Sequence, residues 1–220
     1  MHCYFGTEPS KQVMDLISLG EGADRETVYA AAQRFGDHLY GFGAVPDPAM
    51  QPPAGEAVGK YLRVLRNNFA YVVVDASADY TDLALATFDL SDAICLVTGL
   101  DVVGVKHLSK ALETLLTIGL PRDRFRVVLN RAGSKVGLDA GDVERVMKIQ
   151  VDTMIPSSVK VPTSLNKGRP VVLEEPHSDV ADSVRRLAAR LTGVSNEQTE
   201  STTAEPAPTE RKRLGLFKRR

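Results

Sequence analysis

Three apolar runs in this chain stop at residues able to do chemistry. Tyr71-Val72-Val73-Val74 runs into Asp75-Ala76-Ser77, Leu96-Val97 into Thr98-Gly99-Leu100-Asp101, and Val127-Val128-Leu129 into Asn130-Arg131-Ala132-Gly133. Runs of this kind read as strands buried on both faces, and ligands of open α/β sheets bind beyond the carboxyl ends of parallel strands. Asp75 stands where a phosphate-binding enzyme places the acid that helps to hold magnesium, but a strand-end Asp that caps the next helix reads the same way. Asn130, where the third run stops, reads as a turn-forming residue at a strand end.

Positioning these groups requires strands that alternate with helices. Asp24 is placed to cap a helix that carries Val28, Ala31 and Ala32 inward and closes at Phe35-Gly36, after a shorter helical face formed by Val13, Leu16 and Ile17. Residues 39–45 read as a short strand, 46–53 as a proline-rich loop and 56–69 as a helix with Val58, Tyr61, Leu62 and Leu65 on one side. Beyond the 71–77 strand, helices are predicted over 83–88, 102–118, 141–150 and 178–191, the last with Val180, Val184, Leu187 and Leu191 inward. Strands are predicted over 93–97, 125–129 and 153–155. The alternation predicts a doubly wound, mostly parallel α/β sheet over residues 1–193.

Residues 194–210, rich in Ser, Thr, Glu and Pro, read as a disordered linker. The last ten residues, 211–220, hold six cations and no acid, so a mildly acidic body carries a strongly basic tip. With 220 residues, 43% of them hydrophobic, a sizeable core is expected, and a formal charge of -1 predicts no general affinity for nucleic acid. Cys3 and Cys95 cannot make a disulfide framework. Cys95 reads as a small buried thiol, and a reducing cytoplasm fits. No apolar run nears the roughly 18 residues that span a bilayer, and the first residues resemble no signal peptide.

From Phe5 to about Gly193 the chain resembles the ParA/MinD family of deviant-Walker P-loop ATPases, and within it the CpaE/TadZ branch of pilus assembly. The resemblance rests on the 71–77 strand, on Leu96-Val97-Thr98 with Asp101, on Val127 to Arg131, on Ile155-Pro156, and above all on the run from Val161 to Val172. It implies that Asp75 is the catalytic and metal-site acid that orients magnesium. It implies too that Asn130 and Arg131 hold adenine, and that the Pro156-Ser157 loop meets the base edge. ATP and Mg2+ are the family's cofactors. Protein partners of a positioning machinery, self-association and a cytoplasmic location at the inner face of the membrane follow in the same way.

One family feature is missing. The 220 residues contain no glycine-rich phosphate loop, and Phe5-Gly6-Thr7 looks like the segment that follows the family's second strand, so the domain is expected to be amino-terminally incomplete. Gly55-Glu56-Ala57-Val58-Gly59-Lys60-Tyr61 imitates the loop poorly, with a glycine spacing one residue short and Tyr61 in place of the magnesium-binding Ser or Thr. It reads as ordinary amphipathic helix. A triphosphate would then face Asp75 without counter-charge, and hydrolysis by this chain alone is not expected. The tail resembles MinD-type membrane tails, with Leu214, Leu216 and Phe217 as the apolar part and Arg211, Lys212, Arg213, Lys218, Arg219 and Arg220 as the cations. Two rivals remain, a non-catalytic scaffold and a receiver domain phosphorylated on Asp75. The receiver lacks the acidic pair it needs near the start of the chain.

Overall fold

The computed structural model describes residues 5–7, 10–20, 22–43, 54–76, 79–133 and 138–194. In the first part, α1 (Val13–Ile17) and α2 (Arg25–Ala31) precede a two-stranded antiparallel hairpin of β1 (Gln33–Arg34) and β2 (Tyr40–Gly41), followed by α3 (Gly55–Asn68). Asp24 starts α2 because its carboxylate accepts from the Thr27 amide at 2.8 Å, and that bond holds its pKa below the usual value. In α3 the apolar positions Val58, Leu62 and Leu65 recur at helical spacing and pack with Leu16 and Val28 into one core. Tyr29, Tyr40 and Phe69 close its end, with ring centroids 4.7 Å apart for Tyr29 and Tyr40 and 5.0 Å for Tyr29 and Phe69.

The second part is built on a parallel sheet. After α4 (Asp82–Leu90) come β3 (Ile94–Gly99), α5 (Val102–Thr117), β4 (Phe125–Ala132), α6 (Ala140–Met147), β5 (Val151–Pro156), α7 (Lys160–Asn166), α8 (Val171–Glu174) and α9 (Asp179–Thr192). The sheet order is β3-β4-β5, with Ile94 beside Phe125, Leu96 beside Val127 and Thr98 beside Leu129. Period-two alternation puts these on one face, where Val105, Leu108, Leu112 and Leu115 of α5 and Val143 and Met147 of α6 complete a second core. Each such aliphatic side chain contributes about 1.5–3 kcal/mol by leaving water. Leu83, Ala86 and Leu90 of α4 pack on the first core and Phe88 on the second, so α4 joins the two.

Several sequence expectations are corrected. Residues 71–76 form no strand, and Tyr71, Val73 and Val74 are 59%, 85% and 40% exposed. A valine run supplies propensity, but a strand exists only in a ladder, and no described strand pairs with this one. Cys95 is exposed, not buried, because the face of β3 opposite α5 is left open at Cys95 and at Val97, which is 56% exposed. β4 continues through Asn130 and Arg131 to Ala132, and α2 ends at Ala31 before β1 begins. Leu191 is 40% exposed at the last turn of α9. The helices α7 and α8 appear where no element was predicted. The 46–53 loop, Ser77, the linker beyond residue 194 and the basic tail lie outside the described residues.

Candidate functional site

Because β3, β4 and β5 are parallel, their carboxyl ends share one edge of the sheet. Gly99 of β3 lies in register with Asn130, and Ala132 of β4 with Pro156 of β5. The Ser157 amide then donates to the Ala132 carbonyl at 2.9 Å. Four predicted nucleotide-site residues, Asn130, Arg131, Pro156 and Ser157, are thereby brought together. Asn130 Oδ1 accepts from the Arg131 amide at 3.0 Å, and both side chains are exposed. Arg131 has φ 55°, a left-handed conformation that is uncommon for a residue with a side chain and that clusters at functional sites.

At the β3 end, Asp101 caps α5, its carboxylate accepting from the Gly104 amide at 2.8 Å. A Cβ on Gly104 would lie 2.6 Å from Thr98 Oγ1 and 3.1 Å from Asp101 Oδ2, so only glycine lets α5 start this close to the strand. At the β5 end the chain turns into α7. Gly168, with φ 65°, packs its backbone on that of Gly6, where an added Cβ would meet Gly6 Cα at 2.8 Å. The segment at Phe5-Gly6 and the turn after α7 thus meet directly, a contact the two motifs did not announce when read separately. Glu174 of α8 fixes the same turn, pairing with Lys167 at 2.7 Å and Arg169 at 3.2 Å. The Lys167 hydrogen bond, reinforced by both cations, holds the Glu174 carboxyl below its ordinary range.

Asp75 stands apart. It is exposed, and no hydrogen bond joins it to Asn130, Arg131, Pro156 or Ser157 among the described residues. No group of three or more His, Cys, Asp or Glu side chains placed to hold a metal occurs among the described residues. Gly55 to Tyr61 lies inside α3 and presents no loop of converging amides. Among the described residues, exposed Asp75 and the helical Gly55 to Tyr61 segment do not make a site that fits Mg-ATP. No helix among the described residues is long and apolar enough to cross a membrane.

No protein-family profile matches the chain. A putative septum site-determining protein MinD from Emiliania huxleyi is 24% identical over 152 residues, covering 66% of this chain and 55% of the relative. The chain therefore spans about half the length of the curated relative it matches. Among solved structures, a ParA family ATPase from Chlorobium tepidum superposes with a TM-score of 0.75 at 21% identity, over 86% of this chain and 80% of that one. MinD in a MinC:MinD cell division complex from Aquifex aeolicus gives 0.70 at 19% identity, over 95% and 80%. MinD from Pyrococcus horikoshii, complexed with Mg-ADP, gives 0.68 at 18% identity, over 86% and 76%. The chain has the α/β fold of the ParA/MinD ATPases and is similar in sequence to a MinD.

Proposed function

We propose that this chain is a ParA/MinD-type positioning protein of the CpaE/TadZ pilus-assembly kind that does not hydrolyse ATP by itself. One observation carries the reading. Asn130 and Arg131 meet Pro156 and Ser157 at the carboxyl edge of the sheet, while Asp75 is exposed and the 220 residues hold no phosphate loop. Adenine contacts without a phosphate cradle leave the charged end of a nucleotide unmatched, and weak binding at best follows. The run from Val161 to Val172, which forms α7, its glycine turn and the start of α8, supports the CpaE/TadZ assignment within the family.

Titration with a fluorescent ATP analogue, beside a steady-state phosphate-release assay, tests this. The expected outcome is weak binding, with no phosphate release that depends on Asp75. Sub-micromolar affinity abolished by Asp75→Ala would refute it. The second reading, a non-catalytic scaffold that docks on intact relatives or on a pilus, division or partitioning machinery, is favoured by the exposed Tyr71, Val73 and Val74 and by a β3 edge that pairs with no strand but β4 among the described residues. Such a scaffold needs no nucleotide, so partner binding unchanged by ATP would select it. In either reading the basic tail takes the protein to the inner face of the membrane.

A further inference from the structure

Residues 67–105 hold six aspartates, all exposed, and neither lysine nor arginine. The exposed apolar side chains Tyr71, Val73, Val74 and Tyr80 belong to the same stretch. Val72 packs on the core that Leu83, Ala86 and Leu90 of α4 also join, so the exposed run lies beside that helix. Aspartates stand at both ends of α4. Asp82 is its first residue, Asp79 accepts from the Thr81 hydroxyl of its cap at 2.7 Å, and Asp89 and Asp92 lie in and just after its last turn. The cations of neighbouring elements are engaged elsewhere: Arg66 of α3 pairs with Asp92 at 3.3 Å, Arg63 lies over Gly59 of its own helix, and Arg124 donates to the Asp89 carbonyl at 3.2 Å. The carboxylates of Asp82 and Asp89 lie in no ion pair within 4.0 Å among the described residues. An apolar surface fringed by such acids calls for a partner that is apolar and cationic.

The chain carries such a partner itself. Segment 211–220 sets two cationic triplets, Arg211 to Arg213 and Lys218 to Arg220, around Leu214, Gly215, Leu216 and Phe217. Four extended residues span about 13 Å, and the nine residues of α4 rise about 13 Å. The triplets therefore match the acidic ends of α4, and the apolar centre matches the run between them. The described body ends at Val194, and residues 195–210 can reach about 55 Å, against a radius of gyration of about 16 Å for a body of this size. A segment tethered in this way acts at an effective concentration on the order of millimolar.

We infer that segment 211–220 docks on this face of its own chain through side chains alone, Leu214, Leu216 and Phe217 against Tyr71, Val73 and Val74, with one triplet at Asp82 and the other at Asp89. The same cations cannot serve two surfaces, so a docked tail is withheld from the membrane role proposed above, and release from the body regulates that role. Disulfide trapping without lipid keeps the two readings separate. In the full chain carrying Cys3→Ser and Cys95→Ser, Val73→Cys with Gly215→Cys should close an intramolecular disulfide under oxidised glutathione about tenfold faster than Val146→Cys with Gly215→Cys, whose body thiol is exposed on α6. Asp82→Lys with Asp89→Lys should slow the faster closure about tenfold. Glutamate at all six tail cations leaves the body untouched and should slow it as much, and the two sets combined should restore part of the rate. Equal rates for the two cysteine pairs would overturn the proposal. So would closure undiminished by either set of charge changes, as when the glutamates of 195–210 hold the tail, or closure that quickens with protein concentration, as when a second copy supplies it.

Discussion

Gly104 shows how one missing methyl group sets the geometry of the sheet's carboxyl edge. Alanine would improve helix propensity by about 1 kcal/mol, but its Cβ would sit 2.6 Å from Thr98 Oγ1. Overpacking of this kind costs about 1–3 kcal/mol, so Gly104→Ala is expected to destabilise the chain on balance. Thr98→Ala in the same molecule removes the clashing hydroxyl and should recover most of the loss in a denaturant titration; no recovery would show that the clash is relieved by other means. Glu174 makes a second prediction. Its folded pKa lies below the ordinary 4.5, so its pairing with Lys167 and Arg169 stabilises the fold above that pH and is lost as pH falls through the lowered value. Urea midpoints between about pH 3 and 6 should fall less steeply for Glu174→Gln. Some slope should remain, because Asp24 and Asp142 are lowered as well, by hydrogen bonds from Thr27 and Asp139 respectively.

The element that fails to form is as informative as those that do. Tyr71 to Val74 has the composition of a central strand, yet Val73 is 85% exposed and only Val72 packs on the first core. Water satisfies the backbone groups of an exposed stretch, so its cost is apolar surface left in solvent and an invitation to pair with other chains. Amides 72–74 are accordingly expected to exchange with deuterium among the fastest, and those of Val127, Val128 and Leu129, at most 1% exposed, among the slowest. Fusing the phosphate-loop strand and helix of a ParA/MinD ATPase ahead of residue 5 should slow exchange at 72–74 and reduce self-association. Slow exchange there in the unfused chain, with cooperative monomeric unfolding, would mean that the sheet closes in another way.

At the scale of the molecule, two cores joined by α4 carry a mildly acidic body whose chain ends in six cations set around Leu214, Leu216 and Phe217. Each cation contributes about 1 kcal/mol near an anionic leaflet, and each buried Leu or Phe about 1.5–3 kcal/mol. Salt-sensitive co-sedimentation with vesicles containing anionic lipid is the expected outcome, lost when residues 211–220 are removed. Equal sedimentation of both forms at low salt would leave the tail a solvated end. What the sequence alone determined here is local. Asp24 was legible as a helix start because a cap acts within three residues, and the 3.6-residue spacing of Val58, Leu62 and Leu65 already marks a buried face. The end of the run at Asn130 was legible for a similar reason, since an apolar run that stops at polar residues carries its own direction, whereas Pro156 was singled out only by the family resemblance. Tertiary structure alone decided which runs became strands and which faces were covered. Val127 to Leu129 gained a neighbour on each side, Tyr71 to Val74 gained none among the described residues, and Cys95 stayed open although its own strand formed. A ladder hydrogen bond joins residues far apart in sequence, so no pattern within a single run can state whether its partner is present.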